Sequence, residues 1–167
     1  MMDRIDTVGT ADTHLLRHRI EQLQLDYVHA LDKGELDRWP GFFTERCLYA
    51  IVARDNMERG QELGVMRFES RAMLVDRVNA TQHAAVFAPR TLCHVLSGTS
   101  IEAVDADGIR SRTNVAIYQT SPDGDTLLLM AANYRDKTVE IDGKLLFKEK
   151  RVIYDTLRLP DSVVNPL

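Results

Sequence analysis

Three side chains of the kinds that move protons in enzymes, Tyr27, Asp32 and His94, stand where the predicted fold could bring them together. Tyr27 and Asp32 lie near the end of the first predicted helix, and His94 lies in a predicted strand with Leu92 and Leu96 on the same face. A phenol, a carboxylate and an imidazole can together donate and accept protons, as general acid–base catalysis requires. Because most chains of this size contain such a trio, a satisfied hydrogen-bond network is the stronger expectation.

A second candidate group lies on one face of the last predicted strand. Alternation along a strand places Glu149, Arg151 and Asp155 on the same face. The apolar residues of that face are Leu145, Phe147 and Ile153. The charged side chains predict either a buried acid–base group or a ladder of ion pairs on an interface.

The sequence contains few side chains that could bind a metal ion. A Rieske cluster needs two Cys and two His in close pairs, and a structural zinc needs similar pairs. The chain has only Cys47 and Cys93, each in an apolar run that predicts a buried, unreactive thiol. His14 and His18 are four residues apart on a predicted helix, but no Glu follows His14 as in the zinc-protease motif. We therefore expect no metal and no cofactor in this chain.

The elements that must position these side chains are helices first and strands afterwards. From Thr13 to about Lys33, apolar residues at spacings of three and four predict one buried helix face, and Gly34 ends the helix. Those apolar residues are Leu16, Ile20, Leu23, Tyr27 and Leu31. Asp37 is the predicted cap of a short second helix, and a third helix is predicted over residues 69–80.

Strands fill the rest of the chain. Short ones are predicted over residues 47–53 and 62–67, and four long ones follow Arg90, separated by turn sequences at 107–108, 122–124 and 142–143. A long, twisted antiparallel sheet can bury helices by curling around them into a cone, with a pocket at its wide end. The predicted fold class is therefore α+β, a cone-shaped half-barrel, formed by one domain over residues 13–167.

The segment RWPGFFTERCLY (38–49) concentrates aromatic residues where helix must give way to strand. Trp39, Phe42 and Phe43 are predicted to form a structural corner that fixes the helical turn against the sheet. Large rings dominate both cores and interfaces, so an aromatic box for a flat substrate is the alternative.

Composition excludes several kinds of partner. The chain has 167 residues, 44% of them hydrophobic and 28% charged, and a net charge of −4. This balance gives no basic stripe for nucleic acid. No apolar run is long enough to span a bilayer, and residues 1–12 lack the apolar stretch of a signal peptide. We expect a disordered tail over residues 1–12 and a cytoplasmic protein that binds neither membrane nor nucleic acid.

Five segments, in this order and spacing, resemble one known family: WPGFFTERCLYAIVARDN (39–56), FESRAMLVDRV (68–78), RTLCHVLSGTSI (90–101), AANYRDKTVEIDGKLLFKEKRVIYD (131–155) and the final NPL. From about Ile20 onward the chain resembles the small (beta) subunits of aromatic-ring-hydroxylating dioxygenases, which are Rieske non-haem iron oxygenases. Within that family it is most similar to subunits of systems for salicylate, anthranilate, benzoate or terephthalate.

The resemblance implies a cone fold of the nuclear-transport-factor-2-like, SnoaL-like type and a non-catalytic, structural role in aromatic-compound catabolism. It implies that a large (alpha) subunit carries the Rieske [2Fe–2S] cluster and a mononuclear Fe(II). Three large and three small subunits would form a hexamer in which the small subunits associate as a trimer. The same resemblance suggests subunit contacts at Arg90, His94, Tyr134, Arg135 and Arg151, although ion pairs within the sheet would account for these residues equally well.

Two other functions stay open. A free-standing dehydratase or isomerase on the same fold would use Tyr27, Asp32 and His94 in its pocket. A carrier would use the pocket without a reaction.

Overall fold

The computed structural model describes residues 10–61, 63–83, 89–156, 159 and 163–167. The helices are α1 (Thr10–Asp32), a 3-10 helix (Leu36–Phe42), α2 (Arg54–Glu58) and α3 (Arg71–His83). The strands are β1 (Phe43–Ala53), β2 (Gly64–Phe68), β3 (Thr91–Asp105), β4 (Gly108–Thr120), β5 (Thr126–Ile141) and β6 (Lys144–Tyr154).

Helix α1 forms because its apolar residues recur once per turn, and the structure buries that face. Ile20, Tyr27 and Leu31 are buried, and Gly34 ends the helix in the left-handed conformation, at φ +70°. The helix begins at Thr10, three residues before the predicted start, so residues 10–12 belong to it and not to a tail. Residues 1–9 of the predicted tail lie outside the described residues.

The strands form a single six-stranded sheet in the order β2-β1-β6-β5-β4-β3. Strands β1 and β6 are parallel, and the other neighbours are antiparallel. The hairpin turn after β5 uses Asp142 at φ 51° and Gly143 at φ 77°, the positive values that a tight hairpin favours. The sheet curves around α1, which lies against β3 and β6. The predicted α+β cone is confirmed.

The core lies between the curved sheet and the helices, and aromatic rings fill much of it. Trp39, Phe43 and Tyr49 are fully buried, and the ring of Trp39 meets that of Tyr49 edge-on, with centroids 5.1 Å apart. Phe42 is partly buried against Tyr27, at 5.7 Å between centroids. The aromatic segment thus joins the 3-10 helix to β1.

Several predicted boundaries are wrong by a few residues. Strand β1 begins at Phe43, not Cys47. The second helix is of the 3-10 type and follows Glu35, whose side chain makes no capping bond. Asp37 instead accepts a hydrogen bond from Gln82 of α3 at 3.2 Å. Strand β2 begins at Gly64, while residue 62 of its predicted range lies outside the described residues.

A β-bulge in β6 reverses the inward and outward faces of that strand. Thr138 pairs with Phe147 and Lys137 pairs with Glu149, so Lys148 is an extra residue. The faces therefore exchange after Phe147: Lys150 and Val152 point into the cone and are fully buried. The predicted common face is therefore wrong: Leu145 and Phe147 point inward, whereas Glu149 and Arg151 lie on the opposite face.

None of the helices within the described ranges combines the length and the apolar character needed to cross a membrane.

Candidate functional site

The end of α1 and strand β3 bring together two of the three predicted proton-transfer residues. Asp32 Oδ1 lies 2.5 Å from His94 Nδ1, and Asp32 Oδ2 accepts the backbone N–H of His94 at 3.1 Å. The His94 side chain is fully buried, while that of Asp32 retains 22% of its exposure. One carboxylate thus fixes both the main chain and the ring of His94. The Nε2 atom of His94 has no hydrogen-bond partner among the residues that the structure describes.

Tyr27, the third member, is committed to another contact. Its hydroxyl donates to the carbonyl oxygen of Leu167 at 2.9 Å. Tyr49 donates to the same carbonyl oxygen at 3.1 Å and accepts the Leu167 N–H at 2.8 Å. Burial raises the pKa of the Tyr27 hydroxyl well above its usual range, so it stays protonated as a donor. The two tyrosines anchor residue 167 inside the fold.

The cone interior contains a charged group that the sequence interpretation missed. The Lys150 ammonium donates to Gln24 Oε1 at 2.8 Å and to Asp136 Oδ2 at 3.2 Å, and Gln24 Nε2 donates to the same Asp136 oxygen. These three side chains link α1, β5 and β6, and all are buried. We call them the Lys150 network.

Aromatic rings enclose the ammonium of this network. Lys150 Nζ lies 3.7 Å from the ring centroid of Tyr134, 4.3 Å from that of Phe147 and 4.4 Å from that of Tyr27. The faces of such rings attract a cation. They also exclude water, and the resulting desolvation lowers the pKa of Lys150 to about 8, against the opposing effect of Asp136. Desolvation likewise raises the pKa of Asp136, against the opposing effects of Lys150 and Gln24.

A sequence signal for this network existed in β5. Tyr134, Asp136 and Thr138 alternate with outward residues, and all three are fully or almost fully buried. If Tyr134 had been assigned to the inward face, alternation would have placed Asp136 in the core as well. A buried carboxylate needs a partner, so a buried cation would have been predicted near it. The bulge at Lys148 is what concealed Lys150.

The two spaces lined by described residues are small for a substrate. A cleft of about 190 Å³ lies between α1 and β3, below the roughly 300–1,000 Å³ typical of ligand pockets. Its lining includes Gln24, Leu25 and Leu96. A second cavity of about 10 Å³, beside Leu92 and Leu167, offers space for about one water molecule. Neither Asp32 nor His94 lines either space.

The predicted charged face of β6 is not a buried acid–base group. Glu149 and Arg151 lie on the outer face, where Arg151 Nη1 donates to Glu149 Oε2. Glu149 also lies 3.4 Å from the Lys137 ammonium, and Asp155 forms an ion pair with Arg54 at the exposed end of the strand. Ion pairs on the outer face are therefore the interpretation that the geometry matches.

The two cysteines occupy opposite environments. Cys47 is buried in β1, and desolvation raises the pKa of its thiol to about 11. Cys93 is exposed on the outer face of β3, so the prediction that it is buried was wrong. Strands β1 and β3 have three strands between them, so the two thiols lie on well-separated strands. Within the described ranges, no three His, Cys, Asp or Glu side chains are grouped as metal ligands.

The five residues proposed for subunit contacts occupy different places. Arg135 is exposed and Arg151 is partly exposed on the outer face. Arg90 is partly buried and donates to Gln119 Oε1 at 3.2 Å. Tyr134 was predicted on the outward face, but this placement is wrong. The side chain is fully buried and faces Lys150 inside the cone. His94 is also buried, on the inner face of β3.

Comparison with known proteins gives one consistent result. Residues 12–151 match the model of the SnoaL-like domain. The chain is 36% identical to the anthranilate 1,2-dioxygenase small subunit of Burkholderia cepacia, over 89% of this chain and 92% of that one. It is 30% identical to the terephthalate 1,2-dioxygenase terminal oxygenase component subunit beta 2 of a Comamonas species, over 84% and 92%.

A solved structure agrees. A Novosphingobium aromaticivorans chain assigned as the beta subunit of an aromatic-ring-hydroxylating dioxygenase superimposes with a TM-score of 0.84 at 30% identity, covering 92% of this chain and 98% of that one. These similarities confirm the resemblance drawn from the sequence motifs.

Proposed function

Because this chain belongs to the SnoaL-like domain family and, within it, to the small subunits of aromatic-ring-hydroxylating dioxygenases, we propose that it stabilises and assembles the large subunits of such an oxygenase. The observation that carries the proposal is its 36% identity to a small subunit over 89% of its length. The packing of the cone interior supports it, because Tyr27, Tyr134, Phe147 and Lys150 are buried there in mutual contact. A closely packed interior resists deformation, which suits a scaffold.

The redox centres belong, on this proposal, to the large subunit. That subunit would carry the Rieske [2Fe–2S] cluster and the mononuclear Fe(II). The residues of this chain do not fit the Rieske cluster, since its two cysteines lie on strands separated by three others. They do not fit the mononuclear iron either, since among the described residues no three His, Cys, Asp or Glu side chains are grouped as ligands. Three small subunits would associate as a trimer and join three large subunits in a hexamer, with surfaces that bury apolar and hydrogen-bonding groups.

We further propose an aromatic carboxylate as the substrate of the complete enzyme and the cytoplasm as its location. The Burkholderia and Comamonas relatives described above are named for anthranilate and terephthalate, and both of these compounds carry a carboxylate on an aromatic ring. The substrate would bind in the large subunit, so this chain would not contact it.

Co-expression with the large subunit encoded by a neighbouring gene tests the proposal. We expect a brown complex that contains the two chains in equal amounts and has the mass of three copies of each, measured by light scattering after gel filtration. The complex should hydroxylate an aromatic carboxylate when its reductase is supplied, and the small chain alone should not. If the two chains stay separate, the subunit assignment fails.

His94→Ala separates this function from the dehydratase or isomerase alternative. In a scaffold, the substitution removes the contact between Asp32 and the imidazole ring, keeps the bond from the backbone N–H of residue 94, and leaves turnover per assembled complex unchanged. In an acid–base enzyme, the isolated small chain would convert a substrate by itself and His94→Ala would abolish that activity. Circular dichroism of the variant checks that it is folded before either comparison is made.

A further inference from the structure

Three arginines form a line across the outer face of the sheet. Arg112 of β4 is directly opposite Arg135 of β5, and Arg135 is directly opposite Arg151 of β6. Their inward neighbours Thr113, Tyr134 and Lys150 are buried, so the three guanidinium groups share the outward face. We call these three residues the arginine row.

This arrangement is unfavourable for the isolated chain. Directly opposed residues on neighbouring strands have Cβ atoms roughly 4.5–5.5 Å apart, and like charges at that spacing repel. Glu149 compensates one end of the row through Arg151 and is shared with Lys137 at 3.4 Å. Among the described residues, no carboxylate forms an ion pair with Arg112 or Arg135.

A second pair of opposed basic residues lies next to the row and has acidic partners. Arg110 and Lys137 are also directly opposed on β4 and β5. There, however, Asp105 lies 3.4 Å from the Arg110 guanidinium and Asp107 lies 2.5 Å from the Lys137 ammonium. The fold supplies a carboxylate to each cation of this pair, whereas the middle of the arginine row receives none from the described residues. This concentration of positive charge contrasts with a net charge of −4 for the whole chain.

We propose that the arginine row is a docking site for acidic side chains of the large subunit. Neighbouring strands are about 4.8 Å apart, which is close to the roughly 5–6 Å between residues one turn apart on a helix. A helix with Asp or Glu at positions i and i+4 can therefore offer one carboxylate to each of two neighbouring guanidinium groups. Arginine binds a carboxylate through two parallel hydrogen bonds, which fixes the orientation of the partner as well as its charge.

A second copy of this chain fits the row less well. A two-fold contact through this face would place the row against itself. A contact of another symmetry would need an acidic counterpart, and in the described sheet no three acidic residues are directly opposed on neighbouring strands. The inference rests on the proposed function, because it requires that the large subunit binds this chain.

Neutralising substitutions test the row. We compare wild type, Arg135→Gln, the double variant Arg112→Gln/Arg135→Gln, and the control Lys144→Gln, which removes one positive charge at an exposed site outside the row. The dissociation constant of each from the purified large subunit is measured by titration at low and high salt. We expect Arg135→Gln to weaken binding about tenfold and the double variant about a hundredfold, with Lys144→Gln within about twofold of wild type. Salt should weaken wild-type binding more than that of the double variant.

The isolated small chain provides a second measurement. Because the substitutions remove repulsion, the melting temperatures of the two row variants should equal or exceed that of wild type. A melting temperature that falls by more than about 5 °C would show that the row stabilises the sheet itself, and the proposal would be overturned.

Other results point elsewhere. Unchanged affinity of the double variant for the large subunit would refute the docking site. Loss of association between small subunits, with large-subunit binding intact, would assign the row to the trimer and refute it as well. Failure of the wild-type chain to bind the large subunit would instead contradict the proposed function.

Discussion

Replacing Lys150 with Met is the most informative test of how the cone is stabilised. Met has nearly the same length as Lys and no charge, so it can fill the space between the rings of Tyr27, Tyr134 and Phe147. The substitution leaves Asp136 buried, with Gln24 as its remaining side-chain hydrogen-bond donor among the described residues. A buried charge that loses its partner destabilises a protein far more than a buried pair stabilises it.

The structure sets the expected magnitude. At 3.2 Å between Lys150 Nζ and Asp136 Oδ2, the attraction is about 5 kcal/mol at an effective dielectric constant of 20. Desolvation of the two ions costs several kcal/mol each, so the intact pair contributes little net stability. Lys150→Met should therefore lower the free energy of unfolding by about 3–5 kcal/mol, while the double variant Lys150→Met/Asp136→Asn should lower it by about 1–2 kcal/mol.

Urea unfolding of wild type, both single variants and the double variant measures this coupling. Wild type should also gain stability as the pH rises from about 8 to 10. The unfolded Lys150 amine, with its ordinary pKa near 10.5, holds its proton there, whereas the folded amine, with a pKa of about 8, releases it. The gain should approach about 2 kcal/mol over this interval.

The titration of other buried side chains must be separated from that gain. The raised pKa of Cys47, about 11, opposes it above pH 9, and the raised pKa values of the buried tyrosines oppose it above pH 10. The measured quantity is therefore the difference between wild type and Lys150→Met. Additive effects of the two single substitutions, together with identical pH profiles, would refute the coupled, desolvated pair.

Three further predictions concern single side chains. Thiol labelling of the native protein should modify exposed Cys93 at once, and Cys47 only as the protein unfolds, because burial and a pKa of about 11 both suppress its thiolate; simultaneous labelling would contradict the placement of Cys47. Trp39→Ala should lower the free energy of unfolding by about 3–5 kcal/mol and Phe42→Ala by less, because only Trp39 is fully buried; equal losses in urea unfolding would argue against the corner geometry. Tyr134→Phe should change the melting temperature by less than about 3 °C and leave binding of the large subunit intact, because the Tyr134 hydroxyl is buried without a hydrogen-bond partner among the described residues; weakened binding would return Tyr134 to the interface.

The sequence alone was enough to predict the class of fold and the family. The apolar stripe of α1, Gly34 after it, and the turn sequences between the long strands are local patterns, and local patterns determine which segments become helices and hairpins. The five segments that resemble the small subunits of ring-hydroxylating dioxygenases can also be recognised from the sequence alone. The pairing of Asp32 with His94 could be anticipated, because His94 was placed on one strand face with Leu92 and Leu96 and Asp32 near the end of the first helix.

The direction of the charged side chains in β6 could not be predicted in the same way. A strand repeats every two residues, so the one extra residue at Lys148 moves the side chains that follow it to the opposite face of the sheet. Whether a bulge forms depends on how β6 fits β5 and the curved sheet, and no local pattern around Lys148 specifies it.

Contacts between distant segments were the other unknown. The hydroxyls of Tyr27 and Tyr49 meet Leu167 across more than a hundred residues of sequence, and the arginine row exists only because β4, β5 and β6 pair in one register. Sequence patterns determined which elements form, since those depend on neighbouring residues. The tertiary structure decided which charges are buried together and which remain exposed, because burial is a property of the assembled sheet and not of any one strand.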